Sequence, residues 1–229
     1  MEVHQLKGFF ARWYREHGRS FPWRETGTGP YGVLIAEMLL RQTRASMVVP
    51  VWQAFLSRYP TPTSCAEASQ DALFELVAPL GLGRQRVTAL QSASVALVSR
   101  HQGRVPRSLD SLLALPHVGT YSAHAILCFV YGRRVPVVDI NVIRLFSRLT
   151  GKTFSLDNRR SQEVWDLATQ ILPARKTREH NYGLLDFAAQ VCKPRNPLCI
   201  VCPLAAHCVY NLKNIIKGGP ISESRIDHT

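Results

Sequence analysis

Four of the six cysteines fall within seventeen residues, as Cys192-KPRNPL-Cys199-IV-Cys202-PLAAH-Cys208, the spacing C-x6-C-x2-C-x5-C. Thiolates crowded this closely along a chain suit a tetrahedral metal site or an iron–sulfur cluster. A disulfide scaffold is the first alternative. It fits poorly with an N-terminus, MEVHQLKGFFARWYREHGRS, that reads as an amphipathic helix and not as a signal peptide. Structural zinc is the stronger rival, although zinc sites usually show two C-x2-C knuckles and here only Cys199 and Cys202 have that spacing. Cys65 and Cys128 stand in helical contexts and read as packed thiols.

Three other features could do chemistry. In LPHVGTYSAHA, residues 115–125, Pro116 stops a helical pattern and another starts after Gly119. Backbone N–H groups at such a helix entrance can point at a phosphate, helped by the helix dipole. Asp139, in VPVVDINVIR, is either the N-cap of a helix starting near Asn141 or a carboxylate set for catalysis, and the sequence alone favours the cap. Glu37 is a lone acid on the apolar segment Ile35–Leu39, where it could simply face solvent.

The elements that must position these residues are nearly all helical. Apolar residues recur at three- and four-residue spacing through Leu6–Tyr14, Val33–Met47, Val51–Leu56, Ala72–Leu80, Val87–Leu97, Leu109–Leu115, Ser122–Tyr131, Asn141–Leu149, Glu163–Leu172 and Tyr182–Gln190. Short Gly/Pro breakers separate them, and Arg134–Asp139 is too short and isolated to be a paired strand, so it reads as an extended link. No apolar run is long enough to span a membrane. The charge is lopsided, 28 Lys+Arg against 16 Asp+Glu for a net +12, which is the footprint of a polyanionic partner, most commonly nucleic acid. Arginine supplies most of it, and no lysine lies between Lys7 and Lys152.

In order and spacing, the hairpin LPHVGTYSAHA, the link Gly132-Arg-Arg-Val-Pro136, Asp139 and the cysteine array resemble the helix-hairpin-helix-GPD superfamily of base-excision DNA glycosylases, in its endonuclease III and MutY branch. FPWR at 21–24, PYGVLIAEMLLRQT at 30–43, GLGRQR at 81–86 and NYGLLDFAAQVCKP at 181–194 look like that branch too, so the resemblance spans about residues 8–208. It implies an all-α fold of two helical domains with DNA bound across the cleft between them. One is a barrel of about six helices carrying the hairpin, 22–133. The other is an iron–sulfur cluster domain, 1–21 with 134–211, followed by a tail at 212–229 that is expected to be disordered. The implied cofactor is a [4Fe-4S] cluster on Cys192, Cys199, Cys202 and Cys208, in a structural role. The implied partner is double-stranded DNA containing a mismatched or damaged base, bound by a monomer in the cytoplasm, nucleoid-associated in a prokaryote.

The same resemblance assigns roles by position. Asp139 is the essential carboxylate facing the anomeric carbon of a flipped nucleotide, and Asn141 fixes its local geometry. Glu37 matches a general acid or base-contacting glutamate. Tyr121 stands where bifunctional relatives carry a Schiff-base lysine, so the expected chemistry stops at an abasic site. Arg41 and Gln42 match the segment that fills the gap left by the flipped base, and Leu82 and Arg84 match the turn that wedges beside its widowed partner. Gly119 lies in the phosphate-gripping hairpin, where His117 replaces a usual glycine, and Ile140 is bulkier than the residue usual there. Arg86, Arg104, Arg107, Lys193 and Arg195 are candidate phosphate contacts.

The chain looks most similar to MutY adenine glycosylases and to Mig-type thymine–DNA mismatch glycosylases. Typical MutY enzymes carry a further C-terminal domain that recognises 8-oxoguanine, and only 21 residues follow Cys208. With Tyr121 and the arginine of LLRQT, this favours removal of thymine or uracil opposite guanine. The alternatives are a MutY-type adenine glycosylase lacking that domain and a catalytically inactive DNA-binding module.

Overall fold

The computed structural model of the chain describes residues 6–155 and 162–216. It is all-helical, with no strand among those residues. The helices are α1 (Phe9–His17), α2 (Pro30–Leu39), α3 (Ala45–Arg58), α4 (Pro62–Ala66), α5 (Gln70–Val77), α6 (Gly83–His101), α7 (Leu109–Leu113), α8 (Thr120–Phe129), α9 (Ile140–Thr150), α10 (Gln162–Gln170), α11 (Thr177–Gln190) and α12 (Val209–Ile216). They form two compact units. Arg19–Val137 is one, and the residues up to Gly18 together with those from Val138 onward are the other. No described helix is long and apolar enough to cross a membrane.

The Arg19–Val137 unit wraps α2–α8 around one apolar core that includes Leu34, Ile35, Leu39, Phe55, Leu73, Leu90, Leu97, Leu112 and Ile126. Local chemistry starts its helices where the sequence allows. Pro30 and Pro62 occupy first-turn positions, where a missing N–H costs nothing. The hydroxyls of Ser69 and Ser108 accept from backbone N–H groups three residues on, capping α5 and α7. α8 lies between α2 and α7, so the hairpin before it is fixed by buried neighbours on both sides.

Two sequence-based boundaries are corrected here. The apolar pattern from Val33 to Met47 is not one helix, because α2 ends at Leu39 and the chain turns through Gln42 at a left-handed φ of 53°. The buried Arg86 guanidinium takes the carbonyls of Met38, Leu39 and Arg41, which a continuing helix would have needed for itself. Conversely, α3 runs straight through Pro50, where the pattern had suggested a fresh start. At the other end, α12 keeps the chain helical to Ile216, inside the stretch from 212 expected to be disordered, and the rest of that stretch lies outside the described residues.

In the second unit, α9 buries Val142, Ile143, Leu145, Phe146 and Leu149, the three-and-four spacing of a single helical face. α1 and α11 pack along their length. Phe187 is fully buried and meets Phe9, Phe10 and Trp13 edge-on at ring separations of 5.3–5.7 Å. Gly183 permits this approach, since a methyl group there would stand 2.0 Å from the Phe10 carbonyl oxygen. One turn before it, His180 is completely buried, perpendicular to Phe10, with neither ring nitrogen hydrogen-bonded. Burial pushes its pKa down to about 4.

Helix propensity alone would make Gly183→Ala stabilising by about 1 kcal/mol. The contact with backbone predicts the opposite sign, a loss of about 2 kcal/mol, read from the urea midpoint at unchanged slope. His180 generates a second expectation. Unfolded, it titrates near 6.5, and folded near 4, so the unfolded chain binds the proton first as pH falls. Its contribution is flat above pH 6.5 and declines between there and pH 4 by about 3 kcal/mol. Chemical unfolding across that range should show His180→Leu losing this part of the slope, and an unchanged slope would show that His180 is not the group responsible.

Candidate functional site

Asp139 caps a helix, the first of the two readings the sequence left open, and both of its carboxyl oxygens accept hydrogen bonds. Oδ1 accepts from the Val142 N–H at 2.8 Å, which caps α9. Oδ2 accepts from Asn141 Nδ2 at 2.7 Å. Burial raises the carboxyl pKa above the ordinary aspartate value, while the Val142 and Asn141 donors and the Arg144 cation pull it back. Asn141 in turn accepts at Oδ1 from Arg144 Nη1, 2.9 Å away. Arg144, which the motifs did not single out, donates onward to the carbonyls of Cys192 at 3.0 Å and Ala188 at 2.8 Å. A hydrogen-bonded route therefore runs from the carboxylate to the first residue of the cysteine array. Ile140 beside it stands 55% exposed and is not part of the core.

One helical turn after Arg144, Arg148 donates to the carbonyls of Lys193 at 2.6 Å and Pro194 at 3.0 Å, and lies over the Tyr210 ring. Its own carbonyl accepts from Cys208 Sγ at 3.4 Å. Cys192, Cys199, Cys202 and Cys208 all line one pocket, walled by Leu145, Phe187 and Leu204. Burial raises the pKa of Cys199, Cys202 and Cys208, Cys202 to about 11, and the neighbouring cysteines add to each shift. Four thiolates in this place need a cationic group among them. Four soft thiolates lining one pocket are the donor set that an iron–sulfur cluster takes.

The remaining candidates belong to the Arg19–Val137 unit. Glu37 is buried at 6% exposure on α2, and its charge acts on Arg41 one turn later. Arg41 donates to the His117 carbonyl. His117 is exposed and adopts a left-handed φ of 60°, taking the conformation expected of the glycine it replaces. Gly119 is extended, at φ −96°, and an added Cβ would meet nothing within 4 Å, so its backbone is open to an approaching group. Tyr121 is half-buried in the first turn of α8. Gln42 and Leu82 are exposed, at φ 53° and 54°, and Arg84 is exposed beside them.

Of the expected phosphate contacts, Arg86 is overturned. It is 5% exposed and its guanidinium is committed to main-chain carbonyls. Arg107 lies over the Tyr131 ring, and Arg104 and Arg195 are exposed. Sequence reasoning also passed over His124. Its Nδ1 is 2.8 Å from the Pro136 carbonyl, an acceptor only, so Nδ1 carries the proton and ties the extended link to α8. Cys65 and Cys128 are buried thiols, as expected.

Residues 35–173 match the family of HhH-GPD superfamily base excision DNA repair proteins, and residues 192–208 match the iron–sulfur binding domain of endonuclease III. A thymine/uracil-DNA glycosylase of Pyrobaculum aerophilum is 39% identical over 91% of this chain and 93% of its own. A thymine-DNA glycosylase of Aeropyrum pernix is 38% identical over 91% and 95%. An adenine DNA glycosylase of Mycolicibacterium smegmatis is 36% identical, with this chain spanning 66% of its length. Among solved structures, a thermostable thymine-DNA glycosylase superposes with a TM-score of 0.82 at 32% identity, covering 89% of this chain and 94% of that one. Endonuclease III in a non-covalent complex with DNA shares the fold, with a TM-score of 0.81 at 23% identity. Motif order, helical architecture and these likenesses agree: the chain belongs to the helix-hairpin-helix-GPD superfamily of base excision DNA repair proteins, as a DNA glycosylase with the iron–sulfur motif of endonuclease III.

Proposed function

We propose that the protein removes thymine or uracil opposite guanine by hydrolysis and stops at the abasic site. The observation that carries the chemistry is Asp139, held by Val142 and Asn141 with acceptor capacity left over. Cleaving an N-glycosidic bond develops positive charge on the sugar, and a fixed carboxylate stabilises that charge and orients the attacking water. The Asn141–Arg144 relay fixes the orientation of the Asp139 carboxyl and opposes the upward shift that burial imposes on its pKa. Glu37, buried on α2, is the second acid, assigned to the leaving base by its position in the family pattern. Gly119 and the first N–H groups of α8 grip a phosphate, with Arg84, Arg104 and Arg195 as charged support. When bound, the cluster cross-links the chain from Cys192 to Cys208, a structural contribution.

Tyr121 has no amine, and its unit contains no lysine at all. An imine to the sugar, and the strand-breaking elimination that follows from it, therefore have no nucleophile there. The thymine and uracil assignment is supported by two relatives named thymine/uracil-DNA glycosylases, at 39% and 34% identity, and one named thymine-DNA glycosylase at 38%.

Duplexes carrying G·T, G·U, A·8-oxoguanine or A·G should separate the readings. Cleavage is expected at thymine and uracil opposite guanine, only after alkali, with no adduct on borohydride trapping. Cutting confined to adenine strands would overturn the substrate, and a trapped adduct would overturn the hydrolytic end point. In Asp139→Asn, single-turnover excision should fall by about a hundredfold or more with duplex affinity retained. Equal loss of both would remove Asp139 from the chemistry.

A further inference from the structure

α2 ends at Leu39, leaving its last carbonyls without helical partners. The following turn carries Arg41, Gln42 and Thr43. A second turn, Gly81–Leu82, leads into α6 and presents Leu82 at 48% exposure. Gln42 and Leu82 both take left-handed backbone angles that side-chain-bearing residues adopt only when their surroundings hold them there.

Arg86, in the first turns of α6, holds both. Nε donates to the Gly81 carbonyl at 2.8 Å, Nη1 to that of Leu39 at 2.9 Å, and Nη2 to that of Arg41 at 2.8 Å. Nη2 also reaches the Thr43 hydroxyl, which itself lies 3.2 Å and 3.4 Å from the carbonyls of Arg41 and Leu80. A guanidinium is a rigid planar fork, so these donors fix the two turns relative to each other in a way that no flexible cation could. The linkage then continues, because the Arg41 side chain donates to the carbonyl at the left-handed corner of the hairpin, His117.

We propose that Arg86 is a positioning residue for base extrusion: it makes no contact with DNA, and instead sets the 40–43 and 80–82 turns in the shape that presents Gln42 and Leu82 to the opened duplex. This rests on the glycosylase reading above, in which those side chains occupy space vacated by the extruded base. A phosphate contact, the role its charge suggests from sequence, is the competing account.

The two accounts differ in what Arg86→Lys does, since lysine keeps the charge and loses the fork. Three quantities are measured on a G·U duplex with 2-aminopurine beside the uracil: affinity against salt, 2-aminopurine unstacking, and single-turnover excision. Arg86→Lys should leave the salt slope unchanged, abolish most of the unstacking signal, and slow excision by roughly tenfold or more. Thr43→Val, which removes one acceptor from the clamp at a partly exposed site, should shift the same two quantities in the same direction by less, and it decides the matter if Arg86→Lys does not fold. A salt slope shallower by about one contact would make Arg86 a phosphate ligand. Slower excision with full unstacking, or wild-type behaviour in Arg86→Lys, would also overturn the proposal. Salt slope and unstacking need no turnover. A wild type that opens the duplex but excises neither thymine nor uracil would therefore sink the substrate reading alone.

Discussion

Where this chain leaves a helix beside a residue of chemical interest, main-chain carbonyls lose their helical donors, and arginine side chains take them over. Arg86 does so at the end of α2 and at Gly81, Arg144 at the end of α11, and Arg148 along the first residues of the cysteine loop. A buried guanidinium is tolerable only when its N–H groups are met, and turns rich in unpaired carbonyls meet them. The arrangement is reciprocal: the turn neutralises the cation's need for acceptors, and the cation holds the turn. It also changes how the net charge of +12 should be read. Part of that excess is internal scaffolding, so the charge available to phosphate is smaller than the composition suggests.

The same device joins the carboxylate to the cluster loop. Arg144 and Arg148 stand four residues apart on α9, hence on one face, and both reach the Cys192 carbonyl. Asp139 caps the start of that same helix and is connected to Arg144 through Asn141. A shift of the Cys192 segment therefore has a direct mechanical route to the carboxylate, through three hydrogen bonds and one rigid helix. Capping and the proposed catalysis are compatible at Asp139, because a cap needs one oxygen and acceptor capacity remains for the sugar and water of that proposal.

Much of this was legible in the sequence, for identifiable reasons. The cysteine array is a local pattern, and its spacing alone narrows the chemistry to a few metals. The helical architecture follows from apolar periodicity, and Asp139 and Glu37 are conspicuous because acids are rare on apolar segments. What escaped depends on contacts between residues far apart in the chain. Nothing between Val33 and Met47 marks the end of α2 at Leu39, since the helix is terminated by donors from Arg86, more than forty positions away. By charge, Arg86 and Arg144 look like any surface arginine. Gly183 reads as an ordinary interruption of an amphipathic pattern until the Phe10 carbonyl is placed against it. His117 versus glycine was an undecidable substitution because the sequence does not say whether the ring or the backbone matters there.

The left-handed positions Gln42, Leu82 and His117 answer that last point. Each costs about 1 kcal/mol in a residue that bears a side chain, against a total folding stability of about 5–15 kcal/mol. Glycine would relieve the strain at Gln42 and Leu82 only by deleting the exposed side chains that a filling role requires. At His117 the trade is different. Its ring is exposed, while its carbonyl, turned by that left-handed φ, is the acceptor that Arg41 uses. A glycine could present the same carbonyl at less strain. What position 117 contributes to the link between turn and hairpin is therefore a backbone direction, and the histidine side chain is not what holds it.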